Sequence, residues 1–202
     1  MHPNAILARL LCLGVGYLFG GFLTAEVVAR AAMGKSAHEI GSGNPGMANI
    51  TAQLGPKAGA LVLAGDLLKT AAACAVGWYA ASPVIGRLSM LYAGFGTVLG
   101  HNFPLWAKGR GGKGVAVTCA WVVLYMPVGG ILSCLAGGAA VLLTGYLPLG
   151  AVVLAGVSVP AAWILKGTES GLVMLANTAV MLSRHYRGLL RIRQGKEKKF
   201  LR

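Results

Sequence analysis

The chain has 202 residues, 56% of them hydrophobic and only 11% charged, where a soluble domain carries about 25% charged residues. A mean hydropathy of +0.69 and long uncharged runs exclude a soluble nucleic-acid binder, although the net charge is +13. The composition fits an all-α integral membrane protein, residues 1–202 forming one domain, in which cations collect in cytoplasmic loops.

A bilayer crossing takes roughly 20 apolar residues, and Ala5–Arg30 is the first run of that length. It lacks the short apolar core and cleavage site of a signal peptide, so it is read as a retained span. Ala58–Ala81 is the second span, and Pro83 is predicted to break the chain before the third, Ile85–Asn102. Gly114–Met126 is short for a span; Ile131–Thr144, Leu149–Leu165 and Gly171–Ser183 follow. The expectation is seven transmembrane helices. Six is the alternative, if 111–146 holds one span and a re-entrant piece. With the N-terminus outside, segments 30–57, 101–113 and 184–202 hold 14 of the 18 Lys and Arg residues. The positive-inside rule then predicts a cytoplasmic C-terminus and puts both glycine-rich loops in the cytoplasm. Residues 184–202 form a basic cytoplasmic tail whose stripe of Tyr186, Leu189, Leu190 and Ile192 suits an anionic leaflet.

Cys12, Cys74, Cys119 and Cys134 each lie in an apolar segment with no CxxC pair, and they read as small core residues. No metal ligand set and no organic cofactor is indicated.

The first loop, Gly41-Ser42-Gly43-Asn44-Pro45-Gly46-Met47-Ala48-Asn49, matches GxGxxG literally. A dinucleotide fingerprint needs a preceding strand, and the flanks here are membrane helices, so that reading is rejected. What remains is either a tight connecting turn or a backbone cradle for an anion, to which Ser42, Asn44 and Asn49 add side-chain donors. The second loop places Lys108, Arg110 and Lys113 among Gly109, Gly111, Gly112 and Gly114. It is no Walker A motif, since Ala107 and Gly114 stand where Gly and Ser/Thr are required. A helix starts just after it, and a helix N-terminus with Lys and Arg beside it favours phosphate. The plain alternative is a solvated basic loop. Asp66 and Lys69, three apart on one helix face, are intramembrane charges that need a partner or a function.

These stretches together resemble the bacterial membrane glycerol-3-phosphate acyltransferases that use acyl phosphate, the PlsY family. Its first motif, roughly GSGNxGxTNxxRxxG, stands here as GSGNPGMANITAQLG, 41–55. Its second, roughly GHxxPxFxxFKGGKGVAT, stands as GHNFPLWAKGRGGKGVAV, 100–117, and its third, roughly HRxNIxRLxxGxE, as HYRGLLRIRQGKE, 185–197. A DxxKG pattern is matched by Asp66–Thr70. The resemblance covers the whole chain in order. It implies seven transmembrane helices with the motifs on the cytoplasmic face of the bacterial inner membrane. The implied reaction passes an acyl group from acyl phosphate to the 1-hydroxyl of glycerol 3-phosphate, in phospholipid biosynthesis. By the same resemblance Ser42, Asn44, His101 and Lys113 are catalytic candidates. Gly41, Gly43, Asn49, Lys108, Arg110, Gly111, Gly112, Gly114, His185 and Arg191 are candidates for binding substrate phosphate. Asp66, Lys69 and Glu197 would support the site. The implied partners are the two substrates, membrane lipid and an enzyme that makes acyl phosphate; no nucleic acid is expected.

The His-x4-Asp pair of other glycerolipid acyltransferases is absent: Gly43, Trp106 and Leu190 stand five residues after His38, His101 and His185. Acyl phosphate is already activated, so positioning and charge stabilisation can carry the reaction. His101 and the substrate's own phosphate are both candidates to take the hydroxyl proton.

The sequence also departs from the motifs. Ala48 replaces Thr, Ala52 replaces Arg, Tyr186 replaces Arg and Gly188 replaces Asn. Gly109-Arg110 replaces Phe-Lys, Gly20–Leu23 replaces a segment ending Ser-Ile-Pro, and Ser36 and His38 replace an Asp-x-Arg pair. A relative that acylates another phosphorylated alcohol, or binds lipid phosphate without catalysis, is the alternative these departures raise. A small anion transporter is a third reading, but it predicts internal repeats that the sequence does not show.

Overall fold

The computed structural model describes residues 3–200, and these form helices and connections without a strand. In order they are α1 (Pro3–Gly21), α2 (Thr24–Met33), α3 (Met47–Leu54), α4 (Pro56–Ile85) and α5 (Leu88–Asn102). A 3-10 turn at Leu105–Ala107 precedes α6 (Val115–Tyr125), α7 (Pro127–Thr144), α8 (Leu147–Lys166) and α9 (Thr168–Arg193). The apolar runs of the sequence are helical but for short breaks. Four stretches, Asn4–Met33, Pro56–Ile85, Pro127–Thr144 and Leu147–Lys166, are long and apolar enough to cross a membrane, and α6 is a shorter apolar helix. The outward-facing side chains suit lipid: Leu18, Leu143 and Ile164 are 76%, 87% and 81% exposed.

Three boundaries differ from expectation. The first run is interrupted at Phe22-Leu23, where α1 ends and α2 begins. Pro83 does not break the chain: it sits in the last turn of α4, where its missing N–H costs one hydrogen bond, and the stop comes at Gly86 with φ 55°. Finally, α9 continues to Arg193, so the first ten residues of the basic tail are helical. Nothing breaks that helix before Gly195, which takes φ 66°.

The helices group into two compact units, Met1–Ala120 and Trp121–Arg202, whose boundary falls inside α6. In the first unit α1 packs on α4 and α5, and α3 on α4. The α1–α5 contact is built from glycines four residues apart. A Cβ at Gly16 or Gly20 would collide with the Ala93 or Thr97 carbonyl, and one at Gly96 or Gly100 with that of Leu13 or Tyr17. Such small-residue faces let membrane helices approach backbone to backbone. The contact brings the end of α1 to the end of α5, where His101 lies. In the second unit α8 packs on both α7 and α9. Gly188 of α9 sits against Pro148 in the first turn of α8.

Candidate active site

The first loop is braced from beneath. The Asn49 side chain is buried; its Oδ1 accepts from Ser42 N–H at 2.8 Å, and its Nδ2 donates to the carbonyls of Ala37 (3.3 Å) and Ile40 (3.1 Å). Both ends of this amide are occupied by the loop's own backbone, so Asn49 holds the loop's shape. Gly41 and Gly43 take φ of 54° and 70°, a region open to glycine and costly for other residues. His38 Nδ1 donates to the Gly43 carbonyl at 3.1 Å. Ser42 stays exposed and Asn44 partly so.

Glu26 of α2, which the sequence reading did not single out, anchors the segment leading into this loop. Its carboxylate accepts from Arg30 Nε (2.6 Å), Ser36 Oγ (2.9 Å) and the Ala37 N–H (2.9 Å). Glu39 accepts from Ser36 N–H at 2.7 Å. The signal was scarcity. The chain has only five acidic residues, and four of them, Glu26, Glu39, Asp66 and Glu197, engage a motif or the segment beside it.

The second loop is built differently. Gly111 N–H donates to the Asn102 carbonyl (3.1 Å) and Gly112 N–H to the His101 carbonyl (2.9 Å), folding the loop back on the end of α5. A Cβ at Gly111 would overlap the His101 carbonyl, and one at Gly112 would overlap His101 Nε2. These two glycines therefore admit His101 to the loop, and their N–H groups are spent within it. Gly114, with φ 81°, lies against the Asn102 amide just before α6. Neither side-chain polar atom of Asn102 has a hydrogen-bond partner. The first turn of α6 presents N–H groups without intrahelical partners. Lys108 and Arg110 are exposed and Lys113 is partly buried, so three cations border that helix start.

Beneath His101 lies a buried polar cluster. Lys69 Nζ is 2.8 Å from Asp66 Oδ1 and 2.9 Å from His101 Nδ1. Lys69 also donates to the Phe22 carbonyl at 2.7 Å, and the Gly20 carbonyl lies farther off at 3.4 Å. Thr24 Oγ1 donates to Asp66 Oδ1 at 3.3 Å. The carbonyls released where α1 ends thus find their donors on other segments, and Gly21 O accepts from Trp106 Nε1 at 2.7 Å. A mostly apolar groove of about 460 Å³ opens at this break, lined by Leu18, Phe22, Val27, Leu105 and Trp106 and also by Glu26.

In the second unit, His185 Nδ1 donates to the Met181 carbonyl at 3.0 Å, one turn earlier on α9. Arg191 pairs with Glu197 at 2.5 Å, closing the chain beyond α9 back onto it. Gly188 has a physical reason: Pro148 occupies the place of a larger side chain, 2.7 Å from an added Cβ.

A family profile described as glycerol-3-phosphate acyltransferase matches residues 10–195, a range that holds both glycine loops and His185. The chain belongs to the glycerol-3-phosphate acyltransferase family. It is 37% identical to glycerol-3-phosphate acyltransferase 1 of Lactobacillus johnsonii over 92% of this chain and 89% of that one. It is 34% identical to glycerol-3-phosphate acyltransferase of Clostridioides difficile, over 92% of each. A solved structure of PlsY (YgiH), an integral membrane glycerol 3-phosphate acyltransferase in its glycerol 3-phosphate form, superimposes with a TM-score of 0.83 at 27% identity. That match covers 95% of both chains. Its lysophosphatidic acid form gives 0.81 at 26% identity over 95% and 94%. The chain is thus a multi-pass membrane acyltransferase by family.

Proposed function

We propose that the chain transfers a fatty acyl group from acyl phosphate to the 1-hydroxyl of sn-glycerol 3-phosphate, giving lysophosphatidic acid and phosphate. The observation that carries this reading is the second loop: a helix start bordered by three cations, beside an apolar groove. The acyl chain lies in the groove, and Lys108, Arg110, Lys113 and the first N–H groups of α6 hold its phosphate. The acceptor oxygen attacks the acyl carbon, the new ester bond forms, and the bond from acyl carbon to phosphate oxygen breaks. The hydroxyl proton leaves on the phosphate product in the overall balance. Ser42 and Asn44, with Gly41 and Gly43, bind the acceptor phosphate on a loop that Asn49 braces. Gly111, Gly112 and Asp66 shape the ground under His101. Positioning and charge stabilisation supply the rate.

The enzyme works at the cytoplasmic face of a bacterial inner membrane, N-terminus outside, beside a source of acyl phosphate. One observation favours a second reading, an altered acceptor. Ala52 offers no cation, and Pro148 fills the space an Asn at position 188 would need. Phosphate release from palmitoyl phosphate by the purified protein, with and without glycerol 3-phosphate, tests both. Acceptor-dependent release that Lys113→Ala abolishes is expected. Release stimulated only by another phosphorylated alcohol would establish the second reading, and no stimulated release would overturn the enzyme.

A further inference from the structure

Lys69 lies in the middle of α4, 7% exposed, and has four acceptors around Nζ. Three are close: the Phe22 carbonyl at 2.7 Å, Asp66 Oδ1 at 2.8 Å and His101 Nδ1 at 2.9 Å. An ammonium has three hydrogens and no lone pair, so it only donates, and the three close contacts use all three hydrogens. The Asp66 carboxylate balances the buried charge.

A nitrogen that receives a hydrogen bond from an ammonium cannot carry a proton of its own, so His101 Nδ1 is the bare nitrogen. A doubly protonated ring would set N–H against N–H and cation against cation, and Asp66 Oδ1, 3.9 Å from Nδ1, is already engaged by Lys69 at 2.8 Å. The neutral imidazole therefore holds its proton on Nε2, the atom that lies against Gly112. The same glycine donates its N–H to the His101 carbonyl at 2.9 Å, so ring and backbone of His101 grip the loop together.

We infer that Lys69 is a positioning residue. Anchored by Asp66 and by the carbonyls at the α1–α2 break, it fixes His101 in the Nε2–H tautomer. His101 then faces the cationic loop as a hydrogen-bond donor, which suits an anion site, and it does not take the hydroxyl proton. The effect on rate rests on the acyl-transfer reading; the tautomer does not.

The test is nitrogen NMR of protein labelled with ¹⁵N-histidine in lipid nanodiscs. The chain has four histidines, and His101→Gln identifies the signal. The wild type is expected to show His101 with Nε2 protonated and Nδ1 bare. Lys69→Met should turn that signal into a tautomer mixture while leaving His185 unchanged, and Lys69→Arg should preserve it. Turnover should fall in kcat by about ten- to a hundredfold in Lys69→Met, the scale of losing a hydrogen bond from a charged group, and recover in Lys69→Arg. A proton on His101 Nδ1 in the wild type, or an unchanged tautomer in Lys69→Met, would overturn the proposal. If Lys69→Met does not fold, the wild-type spectrum decides alone. A correct tautomer in a protein without turnover would sink the acyl-transfer reading and leave this one standing.

Discussion

The two glycine-rich loops look alike in composition and are held by opposite means. In the first, glycines supply backbone angles, φ 54° at Gly41 and 70° at Gly43, and one buried side chain, Asn49, supplies the brace. In the second, Gly111 and Gly112 supply empty space, and the brace is the chain's own backbone closing on His101 and Asn102. A glycine therefore means conformation in one loop and proximity in the other. Substitution should expose that difference.

Gly112→Ala should have the largest effect. The new methyl overlaps the imidazole, and overpacking of this kind costs about 1–3 kcal/mol, enough for about a hundredfold loss of turnover if His101 is displaced. A melting curve separates that loss from unfolding, and near-normal activity would show that the loop relaxes freely. Asn49→Ala comes next. It removes three hydrogen bonds from a buried site, and leaving the partners unmet costs about 1–3 kcal/mol. The expected result is a KM for glycerol 3-phosphate raised about thirtyfold with a smaller change in kcat. An effect on kcat alone would move the acceptor away from this loop.

Ala52→Arg sharpens the comparison from the other side. Position 52 is exposed on α3, just past the first loop, so a cation there is accommodated. A phosphate contact is worth about 1.5 kcal/mol or more, so KM should drop about tenfold. No change would favour a different acceptor. Glu26→Gln should have the smallest effect, about fivefold in kcat/KM, because the amide keeps the acceptor oxygen and loses one charge-assisted bond. Glu26→Ala should exceed it by removing the anchor of Ser36 and Ala37 altogether.

Much of this was legible in the sequence, because motif and hydropathy act locally. The apolar runs are helical but for short breaks, and both glycine loops fall between helices. The break at Phe22-Leu23 was not legible. No proline stands there, and the groups that stabilise it, Lys69 and Trp106, come from 47 and 85 residues further on. Pro83 misled for the converse reason: near a helix end it forfeits one bond and stops nothing. An amide in a glycine loop, such as Asn49, looks outward on paper. Only the turn of α3 shows it pointing back beneath the loop. The buried side-chain amide of Asn102, which has no partner under Gly114, carries no sequence signal at all.

The interruption of the first span also sets an order on biogenesis. Phe22 is synthesised 47 residues before Lys69, the residue that satisfies its carbonyl. A backbone carbonyl left bare in lipid costs several kcal/mol. The first span therefore enters the bilayer either as one unbroken helix or with those carbonyls held by water. The bonds that hold the break form only once Lys69 of α4 is in place.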